Sequence, residues 1–351
     1  VLKSIDKKFI ITILILLLML VSKSFADSTN NINTKNGIIT LMYHRFEENK
    51  YPSTNIKKKI FLKHINEVAN SDSSFITFKK FDEILKTNID KSYILLTIDD
   101  AFSSFYKNAW PVLKDKKIPF ILFVNTKEIG NYGYMNWDQI KEIEKSNLVT
   151  IGNHSHSHGY LIDWKDSQIY SDLEKSIKIF KKKLGYSPQI FSYPFGEYST
   201  NLKKIVSTLN FKYAFGQHSG SIDSTKDLLE LPRFPINEKY GEIDRFKSII
   251  ETLPFPYKSI SPENRYLKHD ENPPEIRVNF IANLINIKNI NCYSNEGNRW
   301  RKSEIKFLSK NEIIILIKEK FTTERGRINC SLLESDGKWR WLGIQYVIAK
   351  L

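Results

Sequence analysis

Apolar residues occur in short, nearly unbroken runs, separated by segments in which they recur at helical spacing. Ile94-Leu95-Leu96-Thr97-Ile98 is the clearest run. A run without polar alternation reads as a strand buried on both faces of a parallel sheet. Comparable runs predict strands at Ile38 to Met42, Phe75 to Phe78, Pro119 to Val124, Leu148 to Gly152 and Ile190 to Tyr193, with later ones at Tyr213 to Gly216 and Leu231 to Ile236. Between them Phe61 to Ala69, Phe81 to Leu85, Phe105 to Lys116, Trp137 to Glu144, Ser167 to Leu184 and Leu202 to Leu209 carry helical periodicity, the longest ending at Gly185, a residue suited to a left-handed cap. Strands alternating with helices predict an α/β fold with a parallel sheet. No glycine-rich dinucleotide loop follows a strand, and the even spacing favours a distorted (β/α) barrel over an open doubly wound sheet.

The pattern changes near residue 254. Pro254, Pro256, Pro262, Pro273 and Pro274 punctuate the chain, and 256–275 reads as a proline-rich linker. Beyond it, 276–351 holds short strand-like runs and turns such as Asn295-Glu296-Gly297-Asn298 and Asp336-Gly337, the signature of a small all-β domain. The α/β domain is thus expected over 37–255.

Charge and the amino-terminal segment set the compartment. The 351 residues are 41% apolar, enough for a large core, with a formal net charge of +14. The lysines are dispersed rather than blocked, so the charge does not point to nucleic acid. Lys3, Lys7 and Lys8 precede an apolar run from Phe9 to Val21, and Ser24 and Ala26 form a small-x-small site. That is the form of a signal peptide over 1–26, followed by a flexible stretch over 27–36. Export predicts a periplasmic, extracellular or cell-envelope location, where Cys292 and Cys330 would pair.

The candidate chemistry lies at strand ends. Asp99 and Asp100 close the run opened above, where parallel α/β folds place their reacting groups; taken alone, two adjacent acids could also be a turn or a helix cap. Some fifty residues on, His154-Ser155-His156-Ser157-His158 follows another strand and gathers three of the chain's 7 histidines. Histidines four apart lie on one side of a helical turn and can chelate one ion; the alternative is a polar surface loop. Two imidazoles and a carboxylate suit zinc or a similar divalent metal and leave a position for water.

Thr97-Ile98-Asp99-Asp100, Asn153-His154-Ser155-His156-Ser157-His158 and Ser192-Tyr193-Pro194-Phe195-Gly196, in this order and spacing, resemble the first three motifs of the polysaccharide deacetylase family, the NodB-type carbohydrate esterases. Tyr43-His44 and Leu231-Pro232-Arg233 look more like the branch of poly-N-acetylglucosamine deacetylases than like chitin deacetylases. The resemblance covers roughly residues 37–250. It implies a metal-dependent hydrolase that removes N-acetyl groups from an N-acetylhexosamine polysaccharide. It implies that Asp100, His154 and His158 hold the metal, that Asp99 takes a proton from the water held there, and that the Phe195 N–H binds the oxyanion. His156, at a variable position of its motif, should face away. His44 is assigned as the acid that protonates the leaving amine, the alternative being a buried structural histidine. The family usually has an arginine where this chain has Ser192, and Arg233 is assigned to supply that charge to Asp99 from another strand; otherwise it is an ordinary surface arginine.

Trp137, Tyr160, Trp164 and Tyr198 are candidates for a sugar groove, with core the preferred reading for Trp137; Gln217 and Ser219, near Gly220, are candidates for its border. Trp339 and Trp341 alternate on one strand face, as a carbohydrate contact or, more safely, as the core of the β domain. Asn153-His154-Ser155 matches a glycosylation sequon, but its place among ligands argues against a glycan. Two other functions fit the same scaffold: an O-acetyl esterase, and an inactive glycan-binding or assembly protein.

Overall fold

A computed structural model describes residues 35–87, 89–281 and 286–349. The signal peptide expected over 1–26 and most of the stretch 27–36 lie outside them. No helix among the described residues is long and apolar enough to cross a membrane.

Six parallel strands run through the nine-stranded sheet that carries the site: β1 (Ile38–Tyr43), β2 (Tyr93–Ile98), β3 (Phe120–Val124), β4 (Val149–Asn153), β5 (Ile190–Ser192) and β6 (Tyr213–Phe215), paired in that order. The segment 231–235 closes the curl. Leu231 bridges Phe215 in parallel and Phe234 pairs with Leu41, so the chain spans from β6 back to β1. Every residue of β1, β2 and β3 is buried, as their unbroken apolar runs require.

Strand alternation sorts these residues into two sets. Leu41, Tyr43, Leu96, Ile98, Leu122 and Val124 face outward and pack with helix residues such as Phe61, Phe105 and Phe180. Ile38, Leu95, Phe123, Ile190, Phe215 and Leu231 face inward, joined by Phe81 and Ile84 of the helix Phe78–Lys86. Gly152 belongs to the inner set, since a Cβ there would meet the Phe123 ring at 2.4 Å.

Several predicted bounds shift. The second predicted strand shrinks to Ser74–Phe75 because Thr77 caps the helix that starts at Phe78. The helix expected at 105–116 is two, Ser103–Asn108 and Trp110–Asp115, with Pro111 in the first turn of the second.

The β region is a sandwich of a six-stranded and a four-stranded sheet around Ile276, Val278, Ile313, Ile315, Ile328, Leu332 and Ile344. Cys292 and Cys330 face each other on neighbouring strands and form a disulfide. The segment 256–275 is not a linker. Tyr257–Ser261 pairs with Glu275–Phe280 and Tyr266–Leu267 pairs with Trp339–Ile348, because Tyr257, Ile260 and Leu267 belong to the sandwich core. Its prolines interrupt short strands rather than free the chain.

The sandwich is joined to the barrel. The Gly343 N–H donates to Ser219 O at 2.6 Å, and a Cβ on Gly343 would lie 2.4 Å from that oxygen. The Ser219 backbone therefore takes part in this joint. Trp341, read as sandwich core, packs instead on the barrel, 6.0 Å from the Phe234 ring; Trp339 is exposed. Buried Glu230 accepts from Arg265 at 3.0 Å and from Lys203 at 2.8 Å. Burial alone would raise its carboxyl pKa, but those two cations hold it at about 2, below the ordinary 4.5. A depressed folded-state pKa contributes stability that is present above the unfolded value and lost as pH falls through the folded one. Urea midpoints of the wild type should therefore drop between pH 4.5 and 2, whereas Glu230→Gln should start about 3 kcal/mol lower at pH 7, as for a broken buried pair, and lose less on acidification. Parallel acid profiles for the two chains would refute this.

Candidate active site

The inward parity of the strands, continued past their ends, builds the site. Leu95 leads to Thr97 and Asp99, Ile38 leads by twos to His44, Gly152 to His154, Ile190 to Ser192, and Leu231 to Arg233. All of these converge at the carboxyl ends of the parallel strands. Asp100 is out of phase. It joins the others because it adopts a left-handed backbone, φ 72°. Ser155 (65°), His158 (53°) and Phe195 (59°) do likewise. Non-glycine residues at positive φ cost about 1–3 kcal/mol each and persist where surrounding contacts fix them, as at active sites.

Asp99 is fully buried and held by Arg233. Nη1 donates to Oδ1 at 2.7 Å and Nη2 to Oδ2 at 2.8 Å. The remaining donors reach Gly216 O (2.9 Å), Ser192 Oγ (2.8 Å) and Thr97 Oγ1 (3.2 Å). All five N–H groups of the guanidinium are thus used. Burial pushes the Asp99 carboxyl pKa up, but the charge of Arg233, with His154 and His44, outweighs it and holds the pKa well below the ordinary carboxylate range. Ser192 occupies the space beside this pair as a hydroxyl acceptor.

Asp100, His154 and His158 present one donor atom each to a common point. His154 Nε2 lies 3.6 Å and His158 Nε2 3.5 Å from Asp100 Oδ1. Ligands about 2.1 Å from a tetrahedral ion sit about 3.4 Å from one another, so this spacing fits a divalent metal. The chemistry of the donors agrees. His154 Nδ1 donates to Ser192 O at 2.7 Å, which leaves the Nε2 lone pair facing the point. Burial lowers the His154 pKa to about 4, so the imidazole is a neutral ligand at neutral pH. The two histidines are not on a helical turn. The chain turns through Ser155 and His158 in left-handed conformations, and the Ser155 hydroxyl accepts from the His158 N–H at 2.9 Å.

Sequence reading missed the residues that hold this loop. Asp172, buried in the helix Asp166–Leu184, accepts from His156 N at 2.8 Å and Ser157 N at 3.0 Å. Asn125 donates to Asp100 Oδ1 at 3.0 Å. Neither stands in a motif; Asp172 is a polar position on a helix face, and only its burial separates it from a solvated acid. Asn153 is fully buried and accepts from Ser155 N and Ser176 Oγ, which leaves no room for a glycan. His156 lies outside the three-donor cluster, with Nδ1 2.9 Å from Thr126 Oγ1.

His44 lies at the open side, Nε2 4.0 Å from Asp99 Oδ2 with 13% of its side chain exposed; burial lowers its pKa against the pull of Asp99. Phe195 sits in the Pro194–Gly196 turn, its ring 4.6 Å from that of His158 and stacked on Tyr160 at 4.1 Å. Among the other groove candidates, Tyr198 is buried, Trp137 packs edge-on to Phe180 at 5.9 Å, and Trp164 covers Gly159. Gln217 lies against Gly196, behind the turn. Of this set Tyr160 alone has an exposed ring.

Comparisons with known proteins agree with this architecture. Residues 86–214 match the family described as Polysaccharide deacetylase. A poly-beta-1,6-N-acetyl-D-glucosamine N-deacetylase of Staphylococcus aureus is 24% identical over 283 residues, covering 70% of this chain and 96% of that protein. A putative polysaccharide deacetylase of Bacillus subtilis, YxkH, is 25% identical over 199 residues, 56% of this chain and 70% of that one. Among solved structures, IcaB from Ammonifex degensii shares the fold with a TM-score of 0.56 at 23% identity, covering 62% of this chain and 97% of that one. The Streptococcus pyogenes deacetylase PplD gives 0.54 at 22%, covering 58% and 94%. With its motifs at the strand ends of the expected distorted barrel, the segment 86–214 is identified with the polysaccharide deacetylase family.

Proposed function

We propose that the protein is a metal-dependent hydrolase that removes N-acetyl groups from an N-acetylhexosamine polysaccharide, with poly-β-1,6-N-acetylglucosamine the first substrate to try, since relatives matched over 96% of their length bear that name. The observation that carries the reading is the convergence of Asp100, His154 and His158 at ligand spacing beside a buried, arginine-paired Asp99. A pure glycan binder has no use for a base beside a metal.

A bound divalent cation, zinc by the preference of two imidazoles and a carboxylate, would polarise the acetyl carbonyl and make water a stronger acid. Asp99 removes the proton of the attacking water; Arg233 keeps it ionised and aimed. The Phe195 N–H meets the negative charge that develops on the carbonyl oxygen. Burial keeps His44 neutral at rest, so the proton it passes to the leaving nitrogen is the one Asp99 has taken from water. Balanced over the reaction, water adds across the C–N bond to give acetate and the amine.

The export expected from residues 1–26 forms part of the proposal, supported by the Cys292–Cys330 disulfide, a bond that persists outside the cytoplasm. The test is acetate release from β-1,6- and β-1,4-linked N-acetylglucosamine oligomers and from an O-acetylated glycan. Release from the N-acetylated oligomers, abolished by a chelator and restored by zinc, is the expected result. Release only from the O-acetylated glycan would replace the reading with an esterase; no release from a metal-loaded protein would replace it with a binding protein.

A further inference from the structure

The turn that bears the Phe195 N–H is gripped from outside the barrel. Phe195 (φ 59°) and Gly196 (φ 69°) are two left-handed residues in succession. Inside the turn only two backbone bonds hold it, Gly196 N to Tyr193 O (2.8 Å) and Glu197 N to Pro194 O (3.2 Å). A Cβ on Gly196 would meet Gln217 at 2.3 Å, so the chain passes close to the barrel wall here. The strand Arg325–Leu333 of the sandwich then reaches in. Arg325 Nε donates to Glu197 Oε1 at 2.6 Å, and its guanidinium carbon lies 5.7 Å from the centre of the Phe195 ring. From the neighbouring strand Gln345 Nε2 approaches Gly196 O at 3.5 Å, and Arg327 Nε donates to Gln345 Oε1 at 3.2 Å. Arg325 and Arg327 share one face of the sheet, two positions apart, and Arg327 stands opposite Gln345. Glu197 is only 4% exposed, so its carboxylate has left water for this one cation. Burial raises its pKa and Arg325 opposes that. An ordinary surface ion pair would not be buried, would not join a left-handed turn, and would not share its cation with the ring of the residue whose N–H does the work.

We propose that Arg325 is a positioning residue for the hydrolysis: through Glu197 and the Phe195 ring it fixes the direction of the Phe195 N–H, so the barrel's chemistry depends on the C-terminal sandwich. The assignment rests on the role given to that N–H under the proposed function. Tyr160 stacks on the Phe195 ring at 4.1 Å, so an aromatic ring and the guanidinium of Arg325 both bear on it. The family match ends at residue 214 and does not include the sandwich.

The experiment compares the full chain with Arg325→Ala, Arg325→Lys and Glu230→Gln, the last weakening the barrel–sandwich joint at Arg265 instead of Arg325. Arg325→Ala should lower kcat by roughly 10–100-fold, since losing one aligned oxyanion donor costs about 10²–10³, with KM changed by less than about twofold if no ground-state binding is lost. Arg325→Lys should recover only part of kcat, because it keeps the charge but not the planar fork. Amide exchange at Gly196 and Glu197 should quicken in Arg325→Ala and stay at the wild-type rate in Glu230→Gln. The proposal is overturned if Arg325→Ala matches the wild type in kcat and exchange, or if Glu230→Gln loses as much kcat as Arg325→Ala, which would make joint stability the cause. If the wild type releases no acetate from any glycan, the proposed function fails separately, and the exchange rates alone decide the clamp: unchanged rates overturn it, faster rates support it.

Discussion

Asp99→Asn is expected to lower kcat for acetate release by about 10²–10⁴-fold, the usual contribution of a positioned base, while the content of bound divalent metal stays at the wild-type level. The two effects separate because Asp99 is not one of the three converging donors; its Oδ2 is 3.9 Å from His154 Nε2 and both its oxygens face Arg233. Asparagine fits the same space and still accepts one hydrogen bond from the guanidinium, but it cannot take a proton. It also leaves a buried arginine without a counter-charge, so the melting temperature should fall, as when one partner of a buried pair is removed. Activity assayed well below the melt, together with metal analysis, isolates the chemical effect. A variant that keeps more than about a tenth of wild-type kcat would move the base elsewhere.

Arg233→Ala is expected to cost about 3–5 kcal/mol of stability and to displace the acid limb of the pH–rate profile upward. The sign follows from the two opposing influences on Asp99. Burial raises its pKa and Arg233 lowers it; with the guanidinium gone, burial acts against only the weaker pull of His154 and His44. The carboxylate then protonates at a higher pH and the base is lost earlier on acidification. Arg233→Lys should rescue little, because an ammonium group cannot reproduce five hydrogen bonds spread over Asp99, Ser192, Thr97 and Gly216. Chemical denaturation and a pH–rate profile measure the two effects separately, and an unmoved acid limb in a folded Arg233→Ala would refute the electrostatic part.

What could be read without coordinates was governed by local physics. A parallel sheet buried on both faces writes itself as apolar runs, so the barrel strands were legible at Ile38, Ile94, Phe120 and Ile190. The twin acids and the histidine cluster stood at the ends of such runs. The helix Ile243–Ile250 escaped notice, as did the strands inside the proline-rich segment, because two- to five-residue strands carry too little periodicity to be told from turns. The histidine loop was read as a helical turn because nothing in Ser155 or His158 announces a left-handed backbone; in non-glycine residues that conformation is imposed by the surroundings. Asp172 and Asn125 were invisible for a related reason: their roles come from which elements pack together, not from neighbours in the chain. Arg233 could be suspected because Ser192 left a charge unprovided for.

The acid and its guanidinium stand 134 positions apart along the chain, and the family match stops at residue 214. A fragment excised at that boundary would keep the twin acids and both imidazoles, yet it would lack the staple that turns an apolar trough into a closed barrel and would strand an anion in oil. The smallest piece able to work must therefore run past Pro235, and family boundaries are a poor guide to where this catalyst can be trimmed.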